Sequence, residues 1–162
     1  LSPHPEGGFF RETYRSDEDL PPGALPARYA GPRAMGTAIY YLLTPETFSA
    51  MHRLTSDEVF HFYAGQPVEM LQLVPDGEGR TVTLGRDIAA GQVPQVVVPR
   101  GTWQGSRLVS GGRYALLGTT VCPGFAFEDF ELARRGVLAG EYPDFAELID
   151  RLTVVDDAAG EG

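Results

Sequence analysis

A chain of 162 residues can form one domain burying roughly 70% of its unfolded surface, so it can hold a core without disulfides or metals; it is too short for two large domains. Acidic side chains outnumber basic ones 22 to 13 and the formal net charge is −9, which opposes a phosphate backbone or an anionic membrane; Arg11 with Arg15, and Arg134 with Arg135, are too sparse for a basic patch. No apolar run approaches the roughly 20 residues that span a bilayer, so neither nucleic acid nor membrane is an expected partner.

Twenty glycines and 13 prolines are spread between short β-favouring runs, the pattern of an all-β sandwich or barrel. In chain order these runs predict strands at 9–15, 36–43, 48–54, 58–64, 68–74, 81–84, 95–98, 102–108 and 114–122. Turn clusters separate them, among them Pro75-Asp76-Gly77-Glu78-Gly79 and Ser110-Gly111-Gly112, where glycine supplies positive φ. Residues 20–33 hold four prolines and no periodicity, which reads as a surface strap or a lid. After Pro123-Gly124 the pattern turns helical, first over 128–135 with Gly136 as the stop, then from Pro143, where Phe145, Leu148, Ile149 and Leu152 share a face. Both helices are expected to pack outside the β-body. Residues 1–155 read as a single domain and 156–162 as an acidic, flexible tail.

Strand parity places the polar candidates. Ala50, His52 and Leu54 share one face and Met51 and Arg53 the other; after the turn-forming Thr55-Ser56-Asp57, Glu58, Phe60 and Phe62 share a face. A hairpin here would bring His52 and Glu58 into one cavity. Ser106 has the parity of Gln104, while Trp103 packs on the opposite side. His61 has the wrong parity for the cavity and reads as a histidine hydrogen-bonded between strands, unless a β-bulge re-aims it. His4, between Pro3 and Pro5, reads as an N-terminal anchor. Cys122, the one cysteine, permits no intrachain disulfide and reads as an inert core thiol; with no charged-then-apolar leader ahead of the first strand pattern, a cytoplasmic location is expected. Glu128, Asp129 and Glu131 fit the positive end of a helix dipole.

The stretch "HRLTSDEVFHFYAG" (52–65) resembles the first motif of the cupin superfamily, where histidines precede a glutamate, six residues and a glycine; Glu58 and Gly65 have that spacing. The second cupin motif runs proline, any residue, glycine, two residues, histidine. Pro99-Arg100-Gly101-Thr102-Trp103-Gln104 follows it with glutamine in the histidine position. Four blocks, "HPEGGFFRETYRS" (4–16), "DEVFHFYAG" (57–65), "VVPRGTWQ" (97–104) and "PGFAFEDFEL" (123–132), stand in the order of the Cupin 5 family, and this resemblance covers nearly the whole chain.

The resemblance implies a cupin jelly-roll barrel (double-stranded β-helix), two short C-terminal helices outside it, a ligand pocket in the barrel mouth and pairing as a homodimer. Metal-dependent cupins present three histidines and the glutamate. Here His52, Glu58 and Gln104 remain, a set that could hold a divalent ion only weakly. The expected function is binding of a small polar metabolite, sugar-like or an organic acid, with Phe60 and Phe62 as a ring face and His52, Glu58, His61, Gln104 and Ser106 as polar contacts. The alternative is an enzyme: a metal-free isomerase or epimerase with His52 as base beside Glu58, or a weakly metal-dependent cupin enzyme using His52, Glu58 and Gln104. A purely structural module is the third reading.

Overall fold

The computed structural model describes residues 1–75 and 77–155. In chain order the strands are β1 (Ser2–Pro3), β2 (Phe9–Arg15), β3 (Asp19–Leu20), β4 (Arg33–Ala34), β5 (Thr37–Leu43), β6 (Phe48–Leu54), β7 (Glu58–Gly65), β8 (Val68–Leu73), β9 (Gly79–Leu84), β10 (Gln95–Val98), β11 (Trp103–Leu108), β12 (Ala115–Val121) and β13 (Phe130–Leu132). Two helices follow, α1 (Arg135–Glu141) and α2 (Ala146–Arg151). One sheet has the order β1-β2-β5-β12-β7-β10 and the other β13-β6-β11-β8-β9, while β3 and β4 form a short ladder of their own. This is the cupin double-stranded β-helix.

Alternation along the strands makes the core. In β7, Glu58, Phe60 and Phe62 are buried while Tyr63 is exposed, and in β12 Ala115, Leu117, Thr119 and Val121 are buried. Tyr41, Leu43, Phe60, Phe62, Met70 and Leu117 meet in the interior, each apolar side chain contributing about 1.5–3 kcal/mol on burial. Side chains of opposite parity, Met51, Leu71, Leu73 and Trp103, form a second cluster with Leu138, Ile149 and Leu152 of the helical segment. The apolar face expected for α2 is what docks it there. The guanidinium of Arg53 lies 4.4 Å from the centre of the Trp103 ring.

Several expectations change on contact with the tertiary structure. β6 and β7 do not form a hairpin: β6 pairs with β11 and β13, and β7 with β10 and β12, so the turn between them carries the chain from one sheet to the other. His52 and Glu58 therefore face each other from opposite sheets. The helix expected over 128–135 is instead a 3-10 turn (Phe127–Asp129) leading into β13, and Gly136 lies in the first turn of α1 rather than after a helix. The carboxylates there serve distant arginines. Asp129 accepts two hydrogen bonds from Arg33 (2.6 and 2.8 Å), and Glu131 accepts one from Arg53 (2.8 Å).

Residues 20–33 are a strap. Tyr29 is buried with its hydroxyl 2.8 Å from Ser56 Oγ, and Arg28 donates to the Thr55 carbonyl (3.2 Å), which ties the segment to the β6–β7 corner. Cys122 is exposed rather than in the core, because the inward positions of β12 end at Val121. The tail expected at 156–162 lies outside the described residues. No helix among the described residues is long and apolar enough to cross a membrane.

Candidate functional site

The site begins before the first long strand. A turn at residues 4–8 is closed by the Gly7 amide on the His4 carbonyl (2.9 Å) and the His4 amide on the Gly8 carbonyl (3.0 Å). Gly7 has φ +105°, and a Cβ there would stand 2.1 Å from the Phe48 carbonyl oxygen, so the turn needs glycine. Ala50 donates its amide to the Glu6 carbonyl (2.8 Å), which pins Glu6 against β6 with its side chain in the interior.

Four ionisable groups gather there. Glu6 Oε2 lies 3.2 Å from His52 Nε2 and 3.5 Å from His4 Nδ1, and Glu6 Oε1 accepts from Ser49 Oγ at 2.9 Å. His52 Nδ1 is 2.7 Å from the Ala50 carbonyl. A carbonyl only accepts, so Nδ1 carries a hydrogen. His4 Nδ1 in turn accepts the Glu6 amide (3.2 Å) and is therefore bare. One proton must then lie in the contact between Glu6 and His52, on the carboxyl or on the imidazole. Across the interior, Glu58 Oε2 accepts from the Gln104 amide at 2.7 Å, and the Tyr41 hydroxyl donates to the Gly7 carbonyl at 2.7 Å.

Burial sets the protonation of the cluster. Desolvation raises the Glu58 carboxyl to about 7; the Glu6 charge adds to the rise, while His52, Thr119 and Gln104 oppose it. Glu6 is raised for the same first reason, against His4 and the Ser49 hydroxyl. Both imidazoles are lowered by burial, His52 against the pull of Glu58 and His4 against that of Glu6. Burial together with the Glu6 charge holds the Tyr41 hydroxyl well above its ordinary range.

A cavity of about 250 Å³ opens onto this cluster, with Glu6, Glu58, Thr119 and Tyr41 on its floor. Phe10, Ile39, Phe125 and Phe127 supply apolar walls, and the ion-paired Glu12 and Arg15 stand at its edge. The site candidates expected from the sequence divide by layer. Glu58 lines the cavity; His52 and Gln104 stand behind the carboxyls; Phe60 and Phe62 fill the apolar interior rather than a ligand wall. Ser106 is fully buried with no hydrogen-bond partner among the described residues. His61 does not join the site: it faces outward from β7, where its Nε2 is 3.1 Å from Thr120 Oγ1 and its Nδ1 is 3.3 Å from the Gln95 amide.

A family model described as Cupin_5, Cupin superfamily (DUF985), matches residues 1–133. The chain belongs to the Cupin_5 family. An uncharacterized protein of Saccharomyces cerevisiae is 32% identical over 137 residues, 80% of this chain and 68% of that one. A crystal structure of a protein from Shewanella oneidensis is similar at 38% identity and a TM-score of 0.85, covering 96% of this chain and 92% of the other. At the level of the fold alone, a dTDP sugar isomerase from Desulfovibrio desulfuricans aligns at 17% identity and a TM-score of 0.54, over 79% of this chain and 82% of its own.

Many cupins hold a metal, but the donor set of this Cupin_5 chain does not suit one. Gln104 turns its NH₂ group, not a lone pair, toward Glu58, and the free nitrogen of His52 faces Glu6. His52 thus has both ring nitrogens engaged, on the Ala50 carbonyl and on Glu6, and Gln104 gives its NH₂ to Glu58 while its buried Oε1 has no hydrogen-bond partner among the described residues; among those residues no group of three or more His, Cys, Asp or Glu is placed to hold an ion. Glu6 and the phenylalanine walls were missed by strand-parity reasoning. Their signal was in the family blocks: Glu6 sits in "HPEGG", and Phe125 and Phe127 in "PGFAFEDFEL".

Proposed function

We propose that this Cupin_5 protein binds a small, neutral, sugar-like metabolite in the cavity floored by Glu6 and Glu58. The observation that carries the reading is two buried carboxyls lining one cavity, where apolar residues of similar volume would stabilise the fold better. Aromatic walls offer a ring face, and the floor offers hydrogen-bond donors and acceptors to hydroxyl groups. The same carboxyls disfavour the organic acids that the sequence left open, since a bound anion would face them with Arg15 already paired to Glu12. A second reading, a metal-free isomerase, draws on a Glu58 carboxyl that is half-protonated near neutrality and on the sugar isomerase that shares the fold.

Thermal-shift and calorimetric titration against sugars, polyols, organic acids and nucleotides tests the binding reading. A neutral hydroxylated compound at about 100 times its Kd should add about 2.7 kcal/mol and raise Tm by about 5–10 °C, and Glu58→Leu should abolish the response. Silence across the panel, or an unchanged response in Glu58→Leu, overturns it.

A further inference from the structure

Glu6 and Glu58 open into one cavity, and neither is spent on an arginine as Asp129 is on Arg33. Each is backed by a buried side chain that does not line the cavity: His52 behind Glu6 at 3.2 Å, Gln104 behind Glu58 at 2.7 Å. That layering assigns roles. A group that handles a substrate proton has to reach the substrate, so the carboxyls touch it and the imidazole acts through Glu6.

Resting on the binding reading above, we infer that Glu6 and Glu58 are a catalytic base and acid that tautomerise a hydroxy-carbonyl compound of monosaccharide size, with His52 as the positioning residue for Glu6. Burial favours the proton of the Glu6–His52 contact on the carboxyl, and the reacting form is the one in which it has passed to His52 Nε2 across the 3.2 Å contact, so that Glu6 starts the reaction as a carboxylate while Glu58 is protonated. Glu6 takes the hydrogen from the hydroxyl-bearing carbon next to the carbonyl. The electron pair of that C–H bond forms a carbon–carbon double bond as the carbonyl oxygen takes the Glu58 proton, giving an enediol. Glu58 then removes the proton of the second hydroxyl while Glu6 returns its own to the former carbonyl carbon. The carbonyl has moved by one carbon, both carboxyls end as they began, and no oxidant, reductant or co-reactant is needed.

Two observations favour this chemistry over others open to paired carboxyls. A cavity of about 250 Å³ lies below the range of about 300–1,000 Å³ that holds drug-sized ligands, whereas glycoside cleavage needs sugar on both sides of the bond. The environments of the two carboxyls also differ: Glu58 accepts from a neutral amide, Glu6 contacts an imidazole, and such a difference separates an acid from a base.

The test incubates the purified chain in D₂O with hydroxy-aldehydes and hydroxy-ketones up to hexose size, follows exchange at the carbon next to the carbonyl by NMR, and measures binding of the same probes by calorimetry. Exchange is expected for at least one probe, falling by about 100-fold or more in Glu6→Gln and in Glu58→Gln while affinity changes by less than about tenfold. His52→Gln should keep binding and displace the pH–rate profile; a merely structural histidine would lower thermal stability and leave the profile in place. Should Glu6→Gln fail to fold, Glu6→Asp keeps the carboxyl but withdraws it, and exchange should still collapse. Probes that bind without exchange overturn this inference and leave the binding proposal standing. Binding of none overturns both, and exchange that survives in a folded Glu6 variant overturns the assignment of the base.

Discussion

The two ends of the barrel interior are built from the same strands and follow opposite rules. Toward the end of β7, Phe60 and Phe62 meet Leu43, Val68, Met70 and Leu117 in a cluster made wholly of apolar atoms apart from the Tyr41 hydroxyl. At the start of β7, two residues before Phe60, Glu58 enters a group with Gln104, Glu6 and His52 that leaves two carboxyls in low dielectric. Parity is the same; chemistry is not. Residues that only had to fill space would have continued the apolar pattern, so the polar end is where stability has been given up, and the place of that loss is the best structural argument for function.

The largest effect should come from the apolar end. Phe60 is 1% exposed, and Phe60→Ala should cost about 3–5 kcal/mol, read as a lowered midpoint in urea unfolding, through lost transfer energy and the cavity left behind. A cost under about 1 kcal/mol would mean that the two ends do not differ as described. At the polar end the sign depends on pH. Folded Glu58 keeps its proton to about 7, whereas the unfolded chain releases it near 4.5, so its contribution is fully present below 4.5 and is lost as pH rises through about 7. Glu6 acts in the same sense, while His4 and His52, lowered by burial, contribute stability that is present above 6.5 and lost as pH falls through their folded values. Above 6.5 only the carboxyls still change, and stability should decline. Glu58→Gln should remove most of that decline, making the variant more stable than the parent at pH 8 by up to about 3 kcal/mol and nearly equal to it at pH 5. Parallel melting curves of the two proteins would sink the idea that Glu58 is a stability cost.

A smaller effect isolates the amide behind that carboxyl. Gln104→Met removes the donor to Glu58 Oε2, so the carboxylate should be harder to form and titrate above 7, visible by carbon NMR of the side-chain carboxyl. The stability loss should be about 1–2 kcal/mol at pH 8 and less at pH 5, where Glu58 is protonated.

What the sequence made legible follows the range of the forces involved. Strands whose pattern is local came out with their observed limits: Phe9–Arg15, Phe48–Leu54 and Gln95–Val98 match the stretches expected from β-favouring runs and turn residues. Parity along β7 and β11 likewise separated Glu58 and Gln104 from His61 and Trp103. Whether Thr55-Ser56-Asp57 folds back into a hairpin or crosses to the other sheet depends on partners elsewhere, and turn chemistry is silent on that. Glu128, Asp129 and Glu131 looked like a helix start because their arginines lie far away: Arg33 and Arg53 are 96 and 78 residues from Asp129 and Glu131. Glu6 was hidden for the same reason, since a loop residue ahead of the first long strand reaches the interior only through its pairing with Ala50.

Ser106 marks the boundary between the two ends and offers the finest test. It lies on β11 two positions from Gln104, opposite Ser49 in the register with β6 and opposite Met70 in the register with β8. Ser49 spends its hydroxyl on Glu6, but the Ser106 hydroxyl is buried with no hydrogen-bond partner among the described residues. A buried hydroxyl in that condition carries its desolvation cost uncompensated, so Ser106→Ala should be neutral or stabilising by up to about 1 kcal/mol in urea unfolding, with binding and exchange unchanged. A loss of more than about 1 kcal/mol would show the hydroxyl to be a working member of the polar network, moving the boundary of the functional end one strand position deeper, toward Met70 and Phe62.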